Sequence, residues 1–219
     1  MKSTCPGKIP SFFIVAMLLT SLGALAQTTA TEFDAEKYEP PYTLAAPQGW
    51  GVERFAIPIE FAPTISYKGV EDVRFAPGWS DPGSNEYWTY AFLWYLEGTP
   101  EITPQVTEKN LAAYYTGLIE RNIERRKIPK EKLFPVKVTL KKTSAEGADL
   151  QTYSGTIYML DYMEQKPITF NCVVHLRSCP GKNNTFVFYQ VSPQPLTSDI
   201  WKGLQQLWSA FECNRGDGK

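Results

Sequence analysis

Acid–base or nucleophilic chemistry in this chain would have to start from His175, its only histidine. A Ser-His or Cys-His pair needs the base within reach of its nucleophile, and a histidine metal site needs further ligands nearby. His175 falls mid-strand, with Tyr158, Phe186 and Phe188 as expected neighbours, and reads as packed or hydrogen-bonded. Asp161 is the next candidate, because alternation puts it on an apolar face with Ile157 and Met159. A carboxylate there must be paired, hydrogen-bonded, protonated, or near the sheet's end where water reaches it. The adjacent turn favours the last. Glu86 and Glu97 add carboxylates, but nothing in the spacing brings two together as glycoside hydrolysis requires. There is no P-loop, dinucleotide fingerprint, Gly-x-Ser-x-Gly or Cys-x-x-Cys. No catalytic residue, metal or cofactor is expected.

Binding chemistry has better material. Trp79 and Asp81 lie in a Gly/Pro/Asp loop, Pro77 to Asn85, where a tryptophan has no obvious core to join. The loop leads into Tyr-Trp-Thr-Tyr-Ala-Phe-Leu-Trp-Tyr-Leu, residues 87–96. Alternation sorts Trp88, Tyr90, Phe92, Trp94 and Leu96 to one side and Tyr87, Thr89, Ala91, Leu93 and Tyr95 to the other. Exposed, these rings would make a carbohydrate platform. Their regular alternation with small and aliphatic residues predicts a strand buried on both faces instead.

A basic start at Lys2 and Lys8, an apolar stretch from Phe12 to Leu25 and the small residues Ala24-Leu25-Ala26 read as a secretory signal, cut near Ala26. Losing it would move the net charge from −1 to −3. The remaining charges are interspersed, with no basic stripe to track phosphates, so nucleic acid is a poor partner. No later segment reads as a membrane span. Residues 27–46 read as a flexible segment, 47–213 as one α+β domain and 214–219 as a tail. Within that tail Arg215-Gly216-Asp217 is a chance-level match, and Asn183-Asn184-Thr185 is a formal glycosylation acceptor.

The positioning elements follow in order. Val52 to Ile57 reads as an edge strand before Pro58, and Val70 to Ala76 as a second strand. A helix is expected from Thr107 as N-cap to Pro129, with Leu111, Tyr115, Leu118, Ile119 and Ile123 as its apolar stripe. Its end, Glu124 to Lys127, reads as a solvated basic terminus. Val136 to Leu140 alternates as a half-exposed strand. Three strands then follow as hairpins, from Gly155, Ile168 and Thr185. A last helix from about Ser198, capped by Thr197 or Ser198, carries Trp201, Leu204, Leu207, Trp208 and Phe211 inward.

Geometry selects the cysteine pair. Cys172 and Cys179 are seven residues apart on one strand, roughly 23 Å at about 3.3 Å per residue, too far for a bridge. A final helix running back along its strand would deliver Cys213 to the turn that holds Cys179. The expected disulfide is Cys179–Cys213, with Cys172 a buried thiol.

The element order, with Gly49-Trp50 before the first strands, Tyr153-Ser154-Gly155 opening the meander and Ser209-Ala210-Phe211 closing the last helix, resembles the PsbP/Mog1-like α/β/α family over roughly residues 47 to 213. That resemblance implies an antiparallel sheet covered by helices on its faces, and a role among assembly factors and protein-binding modules. The expectation is therefore a secreted or periplasmic, non-catalytic binding or assembly module with a protein partner, acting through a surface or shallow groove. A polysaccharide- or lipid-binding accessory protein is the alternative, and a hydrolase stands third.

Overall fold

Period-two apolar patterning produces strands here that pair only with antiparallel neighbours. The computed structural model describes residues 33–214; the signal sequence read over 1–26 and the Arg-Gly-Asp triplet lie outside the described residues. In chain order the elements are β1 (Tyr42–Thr43), β2 (Gly51–Ile57), β3 (Gly69–Phe75), β4 (Tyr90–Glu97), α1 (Pro104–Glu120), α2 (Ile123–Arg126), β5 (Lys137–Thr143), β6 (Gln151–Asp161), β7 (Lys166–Ser178), β8 (Asn184–Ser192), α3 (Ile200–Ser209) and β9 (Glu212–Cys213). Seven strands form one sheet in the order β2-β3-β4-β8-β7-β6-β5, and β1 pairs with β9 separately. The fold class is α+β, with a mainly antiparallel sheet.

The aromatic strand β4 is interior, and its alternation is what divides the core. Phe92, Trp94 and Leu96 pack in one cluster with Leu111, Tyr115 and Ile119 of α1. Ala91 and Leu93 pack in the other with Leu204, Leu207 and Trp208 of α3. Residues of α1 thus belong to one cluster and residues of α3 to the other. The hairpin register matches the expected faces at Ile157↔Phe170, Cys172↔Val191 and Val174↔Tyr189. Tyr87, Leu160 and Tyr162 depart from it and join the α1-side cluster. Tyr87 and Tyr162 lie outside the strands, where alternation no longer applies.

Several boundaries move for identifiable reasons. β4 begins at Tyr90 rather than Tyr87, because Trp88 has a left-handed backbone (φ 54°) that no strand continues. Helix α1 starts at Pro104, not after Thr107. Thr103 caps it, accepting from the Val106 amide at 3.2 Å, and proline suits a first-turn position where no amide is needed. It stops at Glu120 well before Pro129, and after α2 the chain turns at Lys127, in left-handed geometry at φ 52°. Neither Thr197 nor Ser198 caps α3, which begins after Asp199 without a side-chain cap.

The segment read as flexible is partly docked. β1 pairs Tyr42 with Cys213 and Thr43 with Glu212, and Tyr42 and Leu44 are buried in the α3-side cluster. Asn214, placed in the tail, accepts from Thr43 Oγ1 at 2.8 Å. Cys213 is bridged to Cys179 with the Cα atoms 5.8 Å apart, as the helix-return argument requires. Cys172 is free and buried, and burial pushes its thiol up to about 12, far from a reactive thiolate.

Candidate functional site

Trp79 does find neighbours. Its ring lies 4.5 Å from that of Phe75 and meets the buried Trp88 edge-on at 6.3 Å. Together with Phe55, Phe61 and Tyr90 these rings line a depression of about 150 Å³ between β2, the start of α1's last turn and the Pro77–Tyr87 loop. Trp79 and Phe61 are half-buried, while Phe55 on the edge strand is 43% exposed. The only charged groups along its wall are Glu53 and Arg121, and the Arg121 guanidinium stands 5.2 Å over the Phe61 ring. Gly117 makes this wall possible. A Cβ there would sit 1.7 Å from the Phe61 carbonyl oxygen, so only glycine lets α1 approach the 59–61 turn.

The loop that carries Trp79 is held at several points. Glu86 accepts from the Gly78 amide at 2.7 Å, the Trp88 amide donates to the Trp79 carbonyl at 2.8 Å, and the Tyr87 hydroxyl donates to Asp161 at 2.8 Å. The left-handed backbone at Trp88 is thereby imposed by its surroundings. Asp81 closes a local turn, accepting from the Gly83 amide at 2.8 Å, and is exposed and away from the depression. Trp79 is therefore in the site, and Asp81 only shapes its loop.

Asp161 is corrected. Its side chain is fully buried rather than wetted at the sheet's end, because it accepts from Tyr87 and from the Met163 and Glu164 amides of the β6–β7 turn. It fastens the Trp79 loop to that turn. Glu97 stands at the far end of β4, opposite Asn184, so Glu86, Glu97 and Asp161 do not converge.

His175 is also placed differently. Its cross-strand partners are Thr152 and Phe188, not Tyr158, because the β6–β7 turn sets Asp161 against Lys166 and thereby Tyr158 against Thr169. Nδ1 lies 2.7 Å from Asp149, in the loop between β5 and β6. Asp149 also accepts from Trp208 Nε1, Arg177 Nε and Thr152 Oγ1. Burial alone would raise its carboxyl; the hydrogen bonds from His175, Trp208 and Arg177 outweigh it and hold it below the usual range. As carboxylate oxygens only accept, the proton sits on Nδ1 and the imidazole serves as a strut between loop, β7 and α3. Arg177 completes the cluster 4.1 Å over the Trp208 ring.

One further carboxyl was missed because it lies in a strand where charged residues, Glu71, Asp72 and Arg74, interrupt the apolar pattern. Glu71 on β3 is 1% exposed beneath Tyr114, whose hydroxyl donates to it at 2.8 Å. Burial raises its pKa from 4.5 to about 7, the Tyr114 bond offsetting part of the rise. The unfolded chain loses this proton near 4.5 and the folded chain near 7, so stability falls as pH rises between those values. The loss is roughly 3 kcal/mol, at about 1.4 kcal/mol per unit. Glu71→Gln should remove that slope and stabilise the protein by about 2–3 kcal/mol above neutrality, with little effect near pH 5. Urea unfolding at the two pH values checks it, and an unchanged slope would move the titration elsewhere.

A second concavity, a shallow groove of about 910 Å³, runs between α3 and the β6–β7 surface and is lined by hydroxyls and amides including Ser154, Gln190 and Gln205. Its aromatic, Trp201, is buried and donates Nε1 to the Gln194 carbonyl at 3.0 Å. No protein-family model matches this chain, and no curated protein matches its sequence.

Proposed function

We propose that this chain is an exported binding or assembly module that engages a partner protein through the aromatic depression beside β2. The observation that carries the reading is the surface-open cavity of about 150 Å³ walled by Trp79, Phe75, Phe55 and Phe61. A cavity of roughly that size accepts a benzene-sized group, hence one aromatic or branched side chain. The resemblance to the PsbP/Mog1-like α/β/α family and the placing of α1 and α3 in separate clusters support the same reading. The Cys179–Cys213 bridge fits an oxidising compartment outside the cytoplasm. Trp88 and Trp94 are both buried, which removes the flat aromatic platform that a polysaccharide-binding role would use. No helix among the described residues is long and apolar enough to cross a membrane.

A photo-crosslinking amino acid in place of Trp79 tests this in the native envelope. It should capture one discrete protein, whereas the same group in place of Lys141 on β5, at the opposite sheet edge, should not. Equal labelling from both positions, or none from position 79, would overturn the assignment.

A further inference from the structure

The two edges of the sheet are treated differently. β5 presents Lys137, Lys141 and Lys142, and its Leu140 amide is already taken by Glu108 of α1 at 2.7 Å. Such charges and covered groups are how native edges resist pairing with another chain. β2 carries charges too, Glu53 and Arg54, but Arg54 is drawn to Asp72 at 3.3 Å, and among the described residues no side chain takes an amide of the strand as Glu108 does on β5. It pairs with β3 along its whole length, Gly51 to Ile57, and among the described residues no other backbone group bonds to it. Its outer side is exposed from Gly51 to Glu53 and again at Phe55 and Ala56, and Val52 and Phe55 show 42% and 43% of their surface. The aromatic depression opens beside the same strand, with Glu53 and Phe55 contributing to its wall.

We propose that β2 accepts an extended strand from another protein, which lengthens the sheet and places an apolar side chain in the depression. Backbone bonding to the free edge would supply affinity, and the side chains of alternate residues would supply specificity. The charge on β2 defines the sequence class. Glu53 and Phe55 share the α1-side face. An incoming residue beside Phe55 reaches the depression, and the one two positions along stands opposite Glu53. The partner strand therefore carries an aromatic or bulky aliphatic residue two positions from a lysine or arginine.

A second copy of β2 fits less well. A two-fold antiparallel pair must centre on one residue for opposed side chains to share a face. The register that uses all of β2 then sets Arg54 against Arg54, while Asp72 is already shared between Arg54 and Arg74. Centring on Glu53 opposes two carboxylates, and centring on Phe55 pairs only the five residues from Glu53 to Ile57.

This inference rests on the binding-module reading, and peptide probes separate the two. Three synthetic strands of alternating threonine and valine are titrated into the processed full-length protein: one with Phe-Thr-Lys at its centre, one with Phe-Thr-Glu, and one Phe-Thr-Lys strand N-methylated at alternate amides. The lysine strand should bind about fivefold to tenfold tighter than the glutamate strand, the swing between attractive and repulsive cross-strand pairs. Glu53→Lys should invert that order, and N-methylation on the paired side or Phe55→Lys should abolish binding. No binding by any strand would overturn the inference, as would binding indifferent to N-methylation. So would self-association that Phe55→Lys removes, since the occupant would then be a second copy. Crosslinking from position 79 to a partner alongside any of these failures would leave the binding-module reading standing.

Discussion

Replacing Phe92 with alanine should destabilise the protein by about 3–5 kcal/mol, the range for deleting a buried aromatic ring. Phe92 is fully buried on the interior strand β4. Its ring stacks on Tyr189 of β8 at 4.4 Å and on Tyr114 of α1 at 5.4 Å, so it joins two strands and a helix. Alanine would leave a void that neither ring can close without moving the helix. Phe92→Leu keeps most of the volume and should cost about 1–2 kcal/mol. Urea unfolding of the two variants checks this. A loss below about 1 kcal/mol for alanine would show that the ring is not tightly packed.

Arg74→Ala should be comparably damaging, about 3–5 kcal/mol, because it leaves a buried carboxylate short of a counter-charge. Arg74 is 2% exposed and Asp72 fully buried, and they pair directly across one turn of the strand pleat. Arg74 also donates to the carbonyls of Leu44 and Ala45, each at 3.0 Å, while Tyr42 donates to Asp72 at 3.3 Å. The pair thus pins the segment after β1 to β3. Arg54, 3.3 Å from Asp72, would retain part of the compensation and keep the loss toward the lower end. Hydrogen exchange should then quicken at Tyr42 to Ala45 before it does in β4. Combining Arg74→Met with Asp72→Leu should recover most of the stability, since an apolar pair of similar volume needs no desolvated charge. If exchange at Tyr42 to Ala45 stays slow in Arg74→Ala, the segment is held by β1–β9 pairing and the disulfide instead.

The two-faced core was readable because β4 and the hairpins carry side chains whose facing follows from a period of two, whatever else the chain does. The stripes Leu111, Tyr115, Ile119 and Trp201, Leu204, Trp208 were readable for the same reason at helical period, and they are buried as expected. The cysteine pairing followed from lengths alone, since a strand and a helix have fixed rises. Helix ends were less legible. Several residues near each end could cap it, and Thr103 prevailed over Thr107 through Pro104, while α1 stopped at Glu120 and the left-handed turn at Lys127 ended α2 with no glycine to announce it.

Tertiary structure decided everything that depends on distant partners. Asp161 looked wetted from its place near a turn, and a hydroxyl 74 residues away makes it a buried anchor. Asp149 lies in the β5–β6 loop, and His175, Arg177 and Trp208 converge on it from two other elements. The Pro-rich entry looked mobile until Arg74 and β9 supplied its missing hydrogen bonds. Trp79 could be singled out because an aromatic ring in a polar loop is locally inconsistent. That its neighbours would be Phe55, Phe61 and Phe75 could not, because local pattern ranks residues by face and exposure, whereas a cavity is made where separate segments meet without filling the space between them.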